Sequence, residues 1–113
     1  MFKLFTAFVN TGPLTGQQFL VKPDATVLIG RVMEATIKLD SDLYCSRMHA
    51  MLFWDKEHCF IEDLKSSNGT FVNNKRIVGK QELKDGDSIN VGGIRLKIEI
   101  KDYSKILPGS SSG

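Results

Sequence analysis

The sequence lacks most features that mark a membrane, secreted or catalytic protein. No apolar run approaches the roughly 20 residues needed to span a bilayer. The opening Met1-Phe2-Lys3-Leu4-Phe5 sets an early lysine among apolar residues, but polar Asn10-Thr11-Gly12-Pro13 follows too soon for a secretory leader, so the segment reads as a first strand. There are only two cysteines, Cys45 and Cys59, without Cys-x-x-Cys spacing. Without secretory features they read as reduced thiols of an intracellular protein, cytoplasmic or nuclear. Charge of one sign is also missing: 15 basic residues face 13 acidic ones for a net +2, interleaved as in Lys97, Glu99, Lys101 and Asp102. That pattern offers no continuous basic stripe for a nucleic-acid backbone, so any anion site must be built locally from a few convergent groups.

Catalytic signatures are absent as well. The sequence has no nucleophile elbow, no phosphate-cradling Gly-x-x-x-x-Gly-Lys-Ser/Thr and no His-Glu-x-x-His. Asp85-Gly86-Asp87 is better read as a turn than as a carboxylate pair. Cys45, His49, His58 and Cys59 form a nominal zinc set, but neighbours in an extended strand point to opposite faces, so His58 and Cys59 do not readily share a metal. The expectation is a protein that is not an enzyme and takes no metal or cofactor. A nucleic-acid-binding barrel would need exposed aromatics beside a basic groove, whereas most aromatics here alternate into expected core positions.

What is present is a run of short strands in a chain of 113 residues, 42% hydrophobic and 25% charged, enough for one sandwich core. In 94–100, Ile94, Leu96, Ile98 and Ile100 alternate with Arg95, Lys97 and Glu99, the period of a strand with one dry face. Gly92-Gly93 separates it from a short strand at 88–91. Residues 49–54 and 58–63 read as a hairpin around Asp55-Lys56-Glu57. Further strands are expected at 3–9, 17–21, 27–30, 36–39, 70–72 and 81–83, and no segment holds a capped 3.6-residue period. This spacing predicts an all-β sandwich or, from pattern alone, a small oligonucleotide-binding type of barrel. Residues 1–103 are expected to form the domain, with 104–113, ending Pro108-Gly109-Ser110-Ser111-Ser112-Gly113, as a flexible tail or linker.

Three loops carry more information than the strands. They are Gly30-Arg31 after an apolar strand, Ser46-Arg47-Met48-His49-Ala50 at the hairpin mouth, and Ser66-Ser67-Asn68-Gly69-Thr70-Phe71-Val72-Asn73 after the hairpin's second strand. Each alone can be an ordinary turn. Asn68-Gly69-Thr70 also fits the N-glycosylation pattern, an accidental match without a secretion signal. Gly69 is expected to serve backbone shape.

Taken in order and at domain-sized spacing, these loops resemble the forkhead-associated (FHA) domain family of phosphothreonine-binding modules. Leu83-Lys84-Asp85-Gly86-Asp87-Ser88-Ile89 and Val91-Gly92 extend the resemblance over about residues 3–102. It implies two twisted, mainly antiparallel sheets of about eleven strands, with binding loops at one end. It further implies that Arg31, Ser46, Arg47, Ser67 and Asn68 contact a phosphopeptide, supported by Gly30, His49, Gly69, Thr70 and Asn73. The implied partner is a phosphothreonine-containing protein or peptide, with no nucleic acid and no membrane. Such a domain is expected to be monomeric in isolation, part of a larger protein, and to act as a signalling adaptor. Phospho-independent docking or self-association by the same fold is the alternative.

Overall fold

The computed structural model describes residues 3–103, and the expected tail at 104–113 lies outside the described residues. Eleven strands form: β1 (Lys3–Val9), β2 (Gln18–Val21), β3 (Val27–Gly30), β4 (Ile37–Lys38), β5 (Met48–Asp55), β6 (His58–Asp63), β7 (Thr70–Val72), β8 (Lys75–Arg76), β9 (Lys80–Leu83), β10 (Ser88–Val91) and β11 (Ile94–Asp102). They build two sheets, in the orders β2-β1-β11-β10-β7-β8 and β4-β3-β5-β6-β9. All pairings are antiparallel except β3 with β4. No helix among the described residues is long and apolar enough to cross a membrane.

Period-two alternation produces the core. Phe5, Ala7 and Val9 of β1 and Ile94, Leu96 and Ile98 of β11 turn inward from the first sheet. They meet Val27, Ile29, Ala50, Leu52 and Ile61 from the second. β1 and β11, at the two ends of the described chain, pair over seven residues from Lys3↔Asp102 to Val9↔Leu96, so the first sheet closes only when both termini are in place. Trp54 seals one edge, its ring edge-on to Phe5 at 5.9 Å and its indole N–H donating to the Val21 carbonyl at 2.7 Å.

Two expectations need correction. β8 has no counterpart in the sequence pattern, because Lys75 and Arg76 are both exposed and two residues cannot show alternation. Positive φ at Asn73 and Asn74 (50° and 69°) supplies the tight turn that folds β8 back along β7. The aromatics are also less buried than expected: of those described, only Phe5 lies fully inside. Phe53 lies on the same face of β5 as Met51, away from the core, and stacks there on its cross-strand partner Phe60 at 5.8 Å.

The two faces of one hairpin should therefore respond differently to truncation. Ile61→Ala, at 0% exposure, is expected to lose about 2–5 kcal/mol in urea unfolding. Phe53→Ala, on the half-exposed face, should lose clearly less.

Candidate functional site

The site begins with a break in the β3–β5 ladder. Ile29 pairs with Ala50, but Gly30 pairs with Met48, which leaves His49 as the extra residue of a β-bulge. By strict alternation His49 would share the outer face with Met51 and Phe53. The bulge re-aims it, and it is fully buried beside the equally buried Ala50. Gly30 is required at the same place, since a β-carbon there would lie 2.1 Å from the Arg47 carbonyl oxygen. That carbonyl accepts the Arg31 N–H at 2.9 Å and the Val32 N–H at 3.2 Å.

The re-aimed imidazole ties two loops together. The Ser46 N–H donates to Nδ1 at 3.0 Å, so that nitrogen carries no proton, and Nε2–H donates to the Gly69 carbonyl at 2.8 Å. With both ring nitrogens committed, His49 has no lone pair for zinc. His58 stands apart on the surface beside Glu82. Among the described residues no cluster could hold a metal ion. Cys45 and Cys59 are free and buried, and burial pushes their thiols up to about 11 and about 12, so neither is a nucleophile near neutral pH.

A carboxylate frame shapes the 66–69 loop. Asp63 accepts the Ser66 hydroxyl at 2.5 Å, the Thr70 hydroxyl at 2.7 Å and the Ser66 N–H at 3.3 Å. The Ser66 oxygen in turn accepts the Gly69 N–H at 3.0 Å. Burial favours the neutral acid, but the donated hydrogen bonds from Ser66 and Thr70 outweigh it and hold the Asp63 carboxyl below its ordinary range. A second carboxylate pins the loop before β5. Asp42 accepts the Tyr44 N–H at 2.9 Å and, across 51 positions of sequence, the Gly93 N–H at 2.6 Å. Asp42, Asp63 and Ser66 were not singled out in the sequence. Asp63 and Ser66 stand at the three-residue spacing of a side-chain-closed turn, a signal that could have found them; the Asp42 contact is long-range and leaves no local trace.

On this frame the expected binding residues do converge at one end of the sandwich. Arg31 and Arg47 line an open cleft of about 280 Å³ with Val32 and Asp40. Neither guanidinium is in an ion pair among the described residues, and two arginines against one aspartate leave the cleft net positive. Ser46, Ser67 and Asn68 adjoin the cleft without lining it. The Ser46 oxygen accepts the Ser67 N–H at 3.1 Å, which leaves its own hydroxyl hydrogen free to donate outward. The Asn68 amide donates to the Tyr44 carbonyl at 2.9 Å, while its side-chain oxygen has no protein partner among the described residues. Thr70 is a buried brace, as expected. Asn73 departs from its expected role: it lies at the far end of β7, donating to Asp87 at 2.9 Å and accepting the Ser88 N–H at 3.0 Å. It shapes the β7–β8 turn and does not touch the loops.

A sandwich presenting two unpaired cations and the free Ser46 hydroxyl on hydrogen-bonded loops at one rim is a binding module of the loop-mediated class. The chain belongs to the FHA domain family, whose profile matches residues 27–92. It is similar to the FHA domain-containing protein FhaB of Mycobacterium tuberculosis, 30% identical over 90 residues that cover 80% of this chain and 57% of that protein. It is also 38% identical over 88 residues to an oxoglutarate dehydrogenase inhibitor of Corynebacterium efficiens, covering 78% of this chain and 60% of that one. The chain thus spans little more than half the length of these curated relatives. A solved structure from work on phosphothreonine-dependent FHA domain interactions superimposes with a TM-score of 0.77 at 29% identity, covering 88% of this chain and 98% of that one.

Two outcomes test the frame. His49→Ala strands a part-buried N–H and a buried carbonyl and empties a buried ring site, and should lower stability by about 2–4 kcal/mol in chemical denaturation. The Asp63 carboxyl, lowered in the folded state, contributes stability that is complete above the unfolded value of about 3.9 and is lost as pH falls through the folded one. Protection of the Gly69 amide against hydrogen exchange, relative to an unfolded chain at the same pH, should therefore stay high at neutral pH and fall only below about pH 4, and Asp63→Asn should flatten that profile.

Proposed function

We propose that this chain binds phosphothreonine in a partner protein through the rim formed by Arg31, Ser46, Arg47, Ser67 and Asn68, as a signalling or scaffolding adaptor. The observation that carries the reading is the convergence of two unpaired arginines with the outward Ser46 hydroxyl, at loops already fixed by His49. A phosphothreonine brings about −1.5 to −2 charge and three strong acceptor oxygens, which need cationic and neutral donors on a rigid support. Arg31 offers a planar fork suited to a tetrahedral anion, and its backbone is held by the Arg47 carbonyl. Arg47 supplies the second cation and Ser46 a short neutral donor. The free Asn68 oxygen can accept a peptide N–H beside the phosphothreonine, and exposed Ser67, tied to Ser46 by its backbone N–H, offers a further hydroxyl. The solved family member described as phosphothreonine-dependent supports the same ligand class.

Removing one partner of a desolvated charge pair costs roughly 2–5 kcal/mol. Arg31→Ala is therefore expected to weaken binding of a phosphothreonine peptide at least tenfold in calorimetric titration, with an unchanged unfolding midpoint. Aspartate in place of phosphothreonine should not substitute for it, having fewer charges and oxygens. Unchanged affinity in the Arg31 variant, or equal affinity for phosphorylated and unphosphorylated peptides, would favour phospho-independent docking instead.

A further inference from the structure

The second sheet ends in an open edge. β9 pairs with β6 and, among the described residues, with no other strand. The direction of its backbone groups follows from one contact just outside the ladder, where the Asp63 N–H donates to the Gly79 carbonyl at 2.9 Å. Hydrogen-bonded pairs recur at every second residue of an antiparallel ladder, so Gln81 and Leu83 turn their N–H and C=O groups toward β6. Lys80 and Glu82 turn theirs outward. The Glu82 carbonyl accepts the Gln81 side-chain amide at 3.1 Å, as an oxygen facing away from the ladder can. An open cleft of about 680 Å³ runs beside this edge, with Gln81 and Glu82 on one wall and Arg76, Ile77 and Val78 on the other.

Lys80 and Glu82 also set their side chains on one face, the outer one, where the Lys80 ammonium sits 4.9 Å over the Phe60 ring. Lys80 reaches Asp55 at 3.7 Å, and Glu82 meets His58 at 2.8 Å and Lys84 at 3.3 Å, contacts exposed enough for water to screen them. From this edge we infer that two copies of the chain join β9 to β9, antiparallel, about a two-fold axis at Gln81. Outward backbone groups must face outward groups, so the registers that stay on β9 are centred on Lys80, Gln81 or Glu82. The first opposes Lys80 to the partner's Lys80, and the last opposes Glu82 to the partner's Glu82. The register centred on Gln81 alone sets each Lys80 against the partner's Glu82, and each such pair exchanges both backbone hydrogen bonds. The same residues serve both copies, which closes the contact at a dimer in place of the monomer that the family resemblance implies. An edge lysine ordinarily discourages strand addition; the glutamate two residues along makes this one register attractive. Gly79 lies at the Asp63 end of β6, beside the 66–69 loop, so antiparallel pairing turns the two rims to opposite ends of the joined sheet. Such a dimer presents two rims at once, whatever ligand they take.

Sedimentation equilibrium tests the contact by exchanging its charges. The native chain should show a monomer–dimer equilibrium at concentrations up to about 1 mM. Lys80→Glu and Glu82→Lys each place like charges across the axis and should each weaken dimerisation about tenfold. An equimolar mixture of the two variants should pair again, because each supplies the charge that the other lacks. The double variant Lys80→Glu/Glu82→Lys, with the pair reversed, should dimerise within about threefold of the native chain. Amide exchange at Lys80 and Glu82 should slow as concentration rises, while Gln81, already bonded to β6, should not respond. A native chain that stays monomeric, single variants that dimerise as the native chain does, or a mixture no more associated than its components overturns the inference. Association abolished by Leu20→Lys, at the exposed edge strand β2, and untouched by the β9 variants overturns it as well. Phosphopeptide affinity is read by the separate titration above, so failure here leaves the rim reading intact.

Discussion

The structure depends on one side chain turned out of its strand. A single extra residue in β5 takes His49 off the sheet's outer face and inserts its ring between two loops that the fold would otherwise leave independent. A fully extended β5 would leave the Ser46 N–H and the Gly69 carbonyl without these partners, and each would need water or disorder to satisfy it. The bulge also forces the close approach of Gly30 to the Arg47 carbonyl, which fixes the backbone of Arg31. One local irregularity thus sets the placement of all three loops.

Rigidity of this kind matters more to recognition than the number of contacts. Ordering a loop residue at the moment of binding costs about 1–2 kcal/mol in backbone entropy. Here much of that ordering is already present in the free protein, through Asp63 beneath the 66–69 loop, Asp42 across to Gly93 and His49 between. At the rim, the guanidinium groups of Arg31 and Arg47 are in no ion pair, and the Ser46 hydroxyl hydrogen and the Asn68 oxygen have no partner among the described residues. Among the described residues every buried side-chain polar atom is satisfied, which separates the frame from the unpartnered groups at the rim.

Most of the strands were legible because they alternate. Segments such as 94–100, 49–54 and 58–63 carry the period in their apolar residues, and the turn residues mark their ends. β8 was not legible, since both its residues are polar and its existence depends on two left-handed asparagines. The expectation that most aromatics enter the core failed because an aromatic on a sheet's outer face has the same period as one in the core; only the partner strand decides which face is dry. The site residues were visible as three motifs, but not the reason they converge. His49 sits in a sequence that reads as regular strand, and nothing in Ser46-Arg47-Met48-His49-Ala50 marks which residue is extra. Asp42 was silent for a related cause: its contact with the Gly93 N–H is made only after distant parts of the chain have packed.

The central claim is that this pre-ordered rim engages a phosphate dianion, and backbone amide NMR tests it most directly. With the chain isotopically labelled, a phosphothreonine peptide is titrated in parallel with its unphosphorylated twin. The account expects chemical-shift changes confined to Arg31, Ser46, Arg47, Ser67, Asn68 and their loop neighbours, present only with the phosphorylated peptide. Shifts of the same residues by both peptides, or shifts centred on the outer sheet face around Phe53 and Phe60, would contradict it.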